Sequence, residues 1–290
     1  MTQGSAGVST SRIVALKPSG DAKPLFMFAG VRGGPDTFHD LAAQLGEDRP
    51  VYAFHHIGSQ NECEPVRQVS RMAQLYAAEL RGVQRHEPYY LFGYSFGGAV
   101  AVELARELVQ QGERVGLLIM ADCPAPGYPR RAPIFSRIKT HADNLRTLHA
   151  DKRKDYLAQR FANLRTRITK AVGVIPYVDP SEVVPEQVKR LDAALFEAYQ
   201  HYHPMPLGVD TLFLTADTPP EWPTVSFDDP LMGWGDLLRG RISQCAIPGA
   251  HLSVFAPQNL PVFAARIRNG LARAERAEQS AFAPQLVKSP

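Results

Sequence analysis

Between Leu25 and Asp122 the chain switches its hydrophobic period repeatedly, and this constrains the fold more than any other feature. Short apolar runs at Leu25–Phe28, Pro50–His56, Tyr89–Gly93 and Arg114–Asp122 read as strands. Between them, residues 36–45, 66–83 and 97–109 place apolar side chains at helical spacing. Strands alternating with helices build βαβ units, and each crossover returns the chain to lay the next strand parallel to the last. The alternation stops from about Pro124 to Pro206, where helical stretches such as 136–172 but no convincing strand are found. It resumes with strands at Val209–Asp217 and Arg241–Gly249 and closes on a helix over 260–277. The expectation is a single α/β domain: a mostly parallel sheet flanked by helices, core about 13–123 and 207–275, with a helical lid over about 124–206 inserted after the strand ending at Asp122. The polar tails 1–12 and 277–290 are expected to fray. A chain of 290 residues can bury a core of that size.

One junction in this pattern carries chemistry. Gly93-Tyr94-Ser95-Phe96-Gly97 sits between the strand "YYLFG" and a helix. In a nucleophile elbow the glycines, here Gly93 and Gly97, permit the sharp turn, and the serine oxygen stands at the carboxyl end of the sheet. The following helix aims its N-terminal N–H groups at the same point and favours developing negative charge. A chance turn is the bland alternative, and the strand-before, helix-after context disfavours it. Serine needs a base. Of the nine histidines only His251 lies in a loop between a late strand and the last helix, where a Ser, acid, His chain order requires it. His55 and His56 end an early strand and His201 and His203 close the insertion, and these read as solvated or structural. The oxyanion donors expected are the backbone N–H of Phe96 and that of Val31, in "FAGVRGG", where Gly30 lets the backbone turn in. Two carboxylates end strands and could orient the base: Asp122 and Asp217.

Composition excludes several classes. A net charge of +3 is too small to imply nucleic acid, and no motif for reading it is present. Three cysteines at irregular spacing offer neither a disulfide framework nor a metal-ligand pattern. No apolar stretch approaches the ~18 to 20 residues of a membrane span, and the N-terminus lacks a signal-peptide core. A cytoplasmic monomer is expected. The segment Arg130–Lys170 carries a net charge of +9, leaving −6 for the rest. It reads either as an attractive surface for an acidic partner or as a solvated helix face.

With these residues in place, the chain resembles the thioesterase domains that release products from non-ribosomal peptide synthetases and polyketide synthases, within the α/β-hydrolase superfamily. The resemblance runs from about Ile13 to Leu271 and rests on "IVALKPSGDAKPLFMF", "RPVYAF", "YYLFGYSFGG", "LLIMAD", "YHPMPLGVDTLFLTA" and "IPGAHLSVF". It implies the acid at Asp122, leaving Asp217 as the alternative, in a polar turn where Asp caps its own backbone. It implies a substrate carried as a thioester on the phosphopantetheine of an acyl or peptidyl carrier protein, an acyl-Ser95 intermediate, and release by hydrolysis or cyclisation without a metal or dissociable cofactor. One departure is Phe28-Ala29-Gly30-Val31 where relatives often carry His-Gly at the oxyanion loop. "GYSFGG" looks more like an integrated release domain than a separate editing thioesterase, which tends to have Met after the serine. The rivals are a carboxylesterase or editing thioesterase of the same fold and a non-catalytic binding protein, and intact Ser95 and His251 argue against the last.

Overall fold

The computed structural model describes residues 12–128, 184–218 and 229–282. The helical stretch 136–172, the basic segment Arg130–Lys170 and most of the expected lid lie outside the described residues.

Seven strands form one sheet: β1 (Ile13–Lys17), β2 (Leu25–Phe28), β3 (Val51–Phe54), β4 (Tyr89–Tyr94), β5 (Val115–Ala121), β6 (Thr211–Ala216) and β7 (Ile242–Ile247). Their order is β1-β3-β2-β4-β5-β6-β7, antiparallel at β1 and parallel elsewhere. Strands covered on both faces read as unbroken apolar runs, and "LFMF" and "YYLFGY" are buried at every position. Alternate side chains supply two cores. Phe26, Phe28, Leu91, Leu118 and Met120 pack beneath α2 (Val69–Val83) and α3 (Phe96–Gln110). Leu25, Met27, Phe92, Ile119 and Leu214 face α1 (His39–Ala43) and the last helix.

Three elements differ from the sequence reading. β1 was not anticipated: four of its five residues are only partly buried and Ala15 is exposed, as befits an edge, and it pairs with β3 through Ile13↔Phe54. The helix expected over 36–45 splits into a 3-10 turn at Pro35–Phe38 and the short α1. The helix closing the fold runs over Leu260–Phe282, so the C-terminal tail does not fray from residue 277. Tyr90 Oη donates to Glu278 Oε2 at 3.3 Å, so a charged residue of the tail expected to fray is tied to β4, and one turn earlier Glu275 pairs with Arg49.

One helix sits over the α3 side. α4 (Glu186–Gln200) buries Leu191, Ala194, Leu195 and Ala198, and polar contacts align it with the loops after β2 and β3. Arg32 Nε donates to Asp192 Oδ2 at 3.0 Å, and Gln187 Nε2 donates to the Ser59 carbonyl at 2.6 Å. The last helix, now α5, covers the opposite face. Among the described residues no helix is long and apolar enough to cross a membrane.

Candidate active site

Ser95 occupies the single residue between β4 and α3, with φ 53° and ψ −124°. A non-glycine residue there is strained, and strain of this kind persists only where neighbours over-determine the turn. Two glycines show how. A Cβ on Gly93 would stand 2.3 Å from the Gly97 carbonyl oxygen, and one on Gly97 would stand 2.0 Å from that of Phe28. α3 therefore starts in backbone contact with the end of β2, and Ser95 N–H donates to the Ala121 carbonyl at 3.1 Å, stitching the turn to β5. Gly97→Ala should destabilise the fold by at least about 2 kcal/mol, because the clash is with backbone and cannot be relieved by a rotamer change. A urea midpoint unchanged from the parent protein would contradict this.

The register Tyr94↔Ala121 sets Ser95 and Asp122 side by side at the carboxyl ends of neighbouring strands. Asp122 is 4% exposed and adopts φ 47°. Its N–H donates to the Leu214 carbonyl at 2.7 Å, its Oδ1 accepts from Ala216 N–H at 3.0 Å, and Trp234 Nε1 donates to the Cys123 carbonyl at 2.8 Å. With Oδ1 held by β6, Oδ2 faces His251 Nδ1 at 2.6 Å, and His251 Nε2 lies 3.1 Å from Ser95 Oγ. A carboxylate only accepts, so Nδ1 carries the imidazole proton and Nε2 turns its lone pair to the serine hydroxyl.

His251 opens a 3-10 turn at His251–Ser253, in the loop between β7 and α5. Tyr94 holds it from below. The Tyr94 hydroxyl donates to the His251 carbonyl at 2.5 Å, and the two rings stack at 5.0 Å. Asp217 does not reach the imidazole. Its Oδ1 accepts from Gly249 N–H at 2.9 Å and from Thr218 Oγ1 at 3.0 Å, bracing the start of the His251 loop across to β7 rather than capping only its own backbone.

The loop after β2 lies against the serine. A Cβ on Gly30 would come within 3.2 Å of Ser95 Cβ and 3.5 Å of its Oγ, so this glycine permits the close approach of the segment carrying Val31. Phe96, as the first residue of α3, has an N–H without an intrahelical acceptor. Sequence reasoning passed over His56, which is buried rather than solvated, with Nε2 2.9 Å from the Gly30 carbonyl oxygen. Its burial pushes the imidazole pKa below the ordinary histidine value. Tyr94 and Trp234 were likewise missed, since nothing in their local sequence points to their backbone partners. Cys123 is no rival nucleophile: burial pushes its thiol pKa well up, and Sγ bonds to the Gly93 carbonyl at 3.1 Å. Among the described residues no group of three His, Cys, Asp or Glu could hold a metal ion.

A serine on a strand-to-helix elbow of a mostly parallel sheet, with its histidine arriving after the last strand, places the protein among the α/β-hydrolases. Within that class the chain belongs to the thioesterase domain family, whose model matches residues 23–270. It is 27% identical over 270 residues to a dimodular nonribosomal peptide synthase of Bacillus subtilis (strain 168), covering 90% of this chain and 11% of that protein. It is 39% identical over 121 residues to malpinin synthetase of Mortierella alpina, covering 42% of this chain and 2% of that one. The chain thus spans a small part of the curated relatives it matches. Among solved structures, the NocB thioesterase domain, in covalent complex with a fluorophosphonate nocardicin G analog, superposes with TM-score 0.63 at 21% identity, covering 89% of this chain and 99% of that one. YbtT, a type II thioesterase from the yersiniabactin pathway, gives TM-score 0.63 at 22% identity, covering 91% and 99%.

Proposed function

We propose that the protein is a serine thioesterase that takes an acyl or peptidyl chain from the phosphopantetheine arm of a carrier protein and releases it through an acyl-Ser95 intermediate. The observation that carries this reading is the single imidazole reaching both Ser95 Oγ at 3.1 Å and Asp122 Oδ2 at 2.6 Å. In the first half-reaction Ser95 Oγ attacks the thioester carbonyl carbon while His251 Nε2 takes the hydroxyl proton. The carbonyl oxygen becomes an oxyanion and is met by the N–H groups of Val31 and Phe96. Asp122 stabilises the imidazolium. The C–S bond then breaks, His251 returns its proton to the departing thiolate, and the acyl group stays on Ser95 as an ester. In the second half, water or a hydroxyl or amine of the chain itself attacks that ester. His251 takes its proton, and Ser95 recovers it as the product leaves. Neither half uses a metal or a dissociable cofactor.

The fold is shared by the NocB thioesterase domain and the type II thioesterase YbtT. Phe96 after the serine is the feature that favours product release over editing in this chain. Matched acyl-pantetheine thioesters and oxygen esters test the substrate class. The thioester is expected to turn over faster, and a strong preference for the oxygen ester would make the protein a carboxylesterase of the same fold.

A further inference from the structure

The proposed oxyanion donor at Val31 is a backbone group in a loop, and something must fix its direction. The Gly30 carbonyl and the Val31 N–H belong to one peptide unit, whose trans geometry points them opposite ways in one plane. Whatever holds the carbonyl therefore aims the N–H. The Gly30 oxygen accepts two hydrogen bonds: from Gly33 N–H at 2.9 Å, closing a tight turn, and from His56 Nε2 at 2.9 Å. His56 comes from the residues after β3, so it ties the loop to the neighbouring strand rather than to itself. Its ring also meets the edge of Phe96, with centroids 6.1 Å apart, so one side chain touches Phe96 and the peptide unit whose other end is the Val31 N–H.

We infer that His56 is a positioning residue that aims the Val31 N–H at the oxyanion through the Gly30 carbonyl. This rests on the Ser95 mechanism proposed above. A carbonyl oxygen only accepts, so Nε2 carries the proton. Because burial disfavours the charged ring, the donor is a neutral dipole and adds no fixed positive charge behind the hole. Two donors on one carbonyl also polarise the peptide and strengthen the N–H at its other end. Arg32, two residues past Gly30, is held by Asp192 of α4 at 3.0 Å, which restrains the outer side of the same loop.

The test compares His56→Leu, His56→Asn and His56→Gln in steady-state turnover of an acyl-pantetheine thioester, with fluorophosphonate labelling of Ser95 in the unaltered protein as reference. Gln carries an amide N–H to about the reach of Nε2, whereas Asn is too short. Leu and Asn are expected to lower kcat by about 10- to 100-fold with KM within about two-fold, somewhat less than deletion of a donor outright. Gln should restore kcat to within about three-fold of the parent. Loss of His56 still leaves the Gly30 oxygen bonded to Gly33 N–H, so the variants should fold. If Leu alone fails to fold, the Asn and Gln pair decides. An unchanged kcat in Asn or Leu, a loss confined to KM, or a Gln variant as impaired as Asn overturns the inference while Ser95 labelling leaves the mechanism standing. Absence of label on Ser95 in the unaltered protein overturns both.

Discussion

Ser95→Ala is expected to lower turnover of an acyl-pantetheine thioester by ~10⁴-fold or more, because only the oxyanion donors and binding remain to act on an uncatalysed attack. Among the described residues no neighbouring thiol or phenol can take over. The nearest thiol, Cys123, is buried and bonded to the Gly93 carbonyl, and Tyr94 points its hydroxyl at the His251 carbonyl. Burial also pushes the Tyr94 pKa up, away from phenolate. The fold should survive. The strained φ of 53° is already borne by a residue with a Cβ, and the substitution removes only the oxygen facing His251. Thermal midpoints of the two proteins should agree closely. Intact-protein mass spectrometry after a fluorophosphonate should find one adduct on the parent, mapped to Ser95, and none on the variant. An adduct on any other residue, or turnover retained by the alanine variant, would remove the elbow from the mechanism.

What the sequence makes legible follows from how local each signal is. β2, β4 and β5 announce themselves because a strand covered on both faces has no polar side to show. β1 does not, because an edge strand with partly buried residues takes its identity from β3, about forty positions along the chain. The extension of α5 to Phe282 hides in the same way: Glu278 looks solvated until Tyr90 is brought to it across the fold. At the site, Ser95 is written in its own pentapeptide and His251 in its place between a late strand and the last helix. The acid is different. Asp122 and Asp217 both end strands, and what separates them is the sheet order, which sets β5 beside β4 and β6 one strand further out. The family resemblance points to Asp122, and the polar turn around Asp217 offers that residue a capping role instead. His56 and Tyr94 have no sequence signature at all, since each acts on a backbone carbonyl supplied from 26 and 157 positions away.

The two carboxylates give the second large prediction. Asp122→Asn should cost ~10²- to 10⁴-fold in turnover, and the structure gives the reason in terms of tautomers. Ala216 N–H points at Oδ1, so an asparagine would seat its carbonyl oxygen there and leave its amide NH₂ facing His251 Nδ1. An NH₂ donates, so Nδ1 must give up its proton and Nε2 must carry one. The nitrogen 3.1 Å from Ser95 Oγ would then be a donor and could not accept the hydroxyl proton. Folding should be preserved, because the hydrogen bond from Ala216 and the Asp122 N–H bond to Leu214 both remain. Asp217→Asn should cost little. Its Oδ1 accepts from Gly249 N–H, and an asparagine oxygen accepts equally well in that place, so the His251 loop keeps its brace. Turnover and thermal midpoint measured on both variants check this, the second confirming that any lost activity is chemical rather than unfolding. If Asp217→Asn were the more damaging, the carboxylate that orients the base would have to sit after β6, and the 2.6 Å contact of His251 with Asp122 would not be the one that works in turnover.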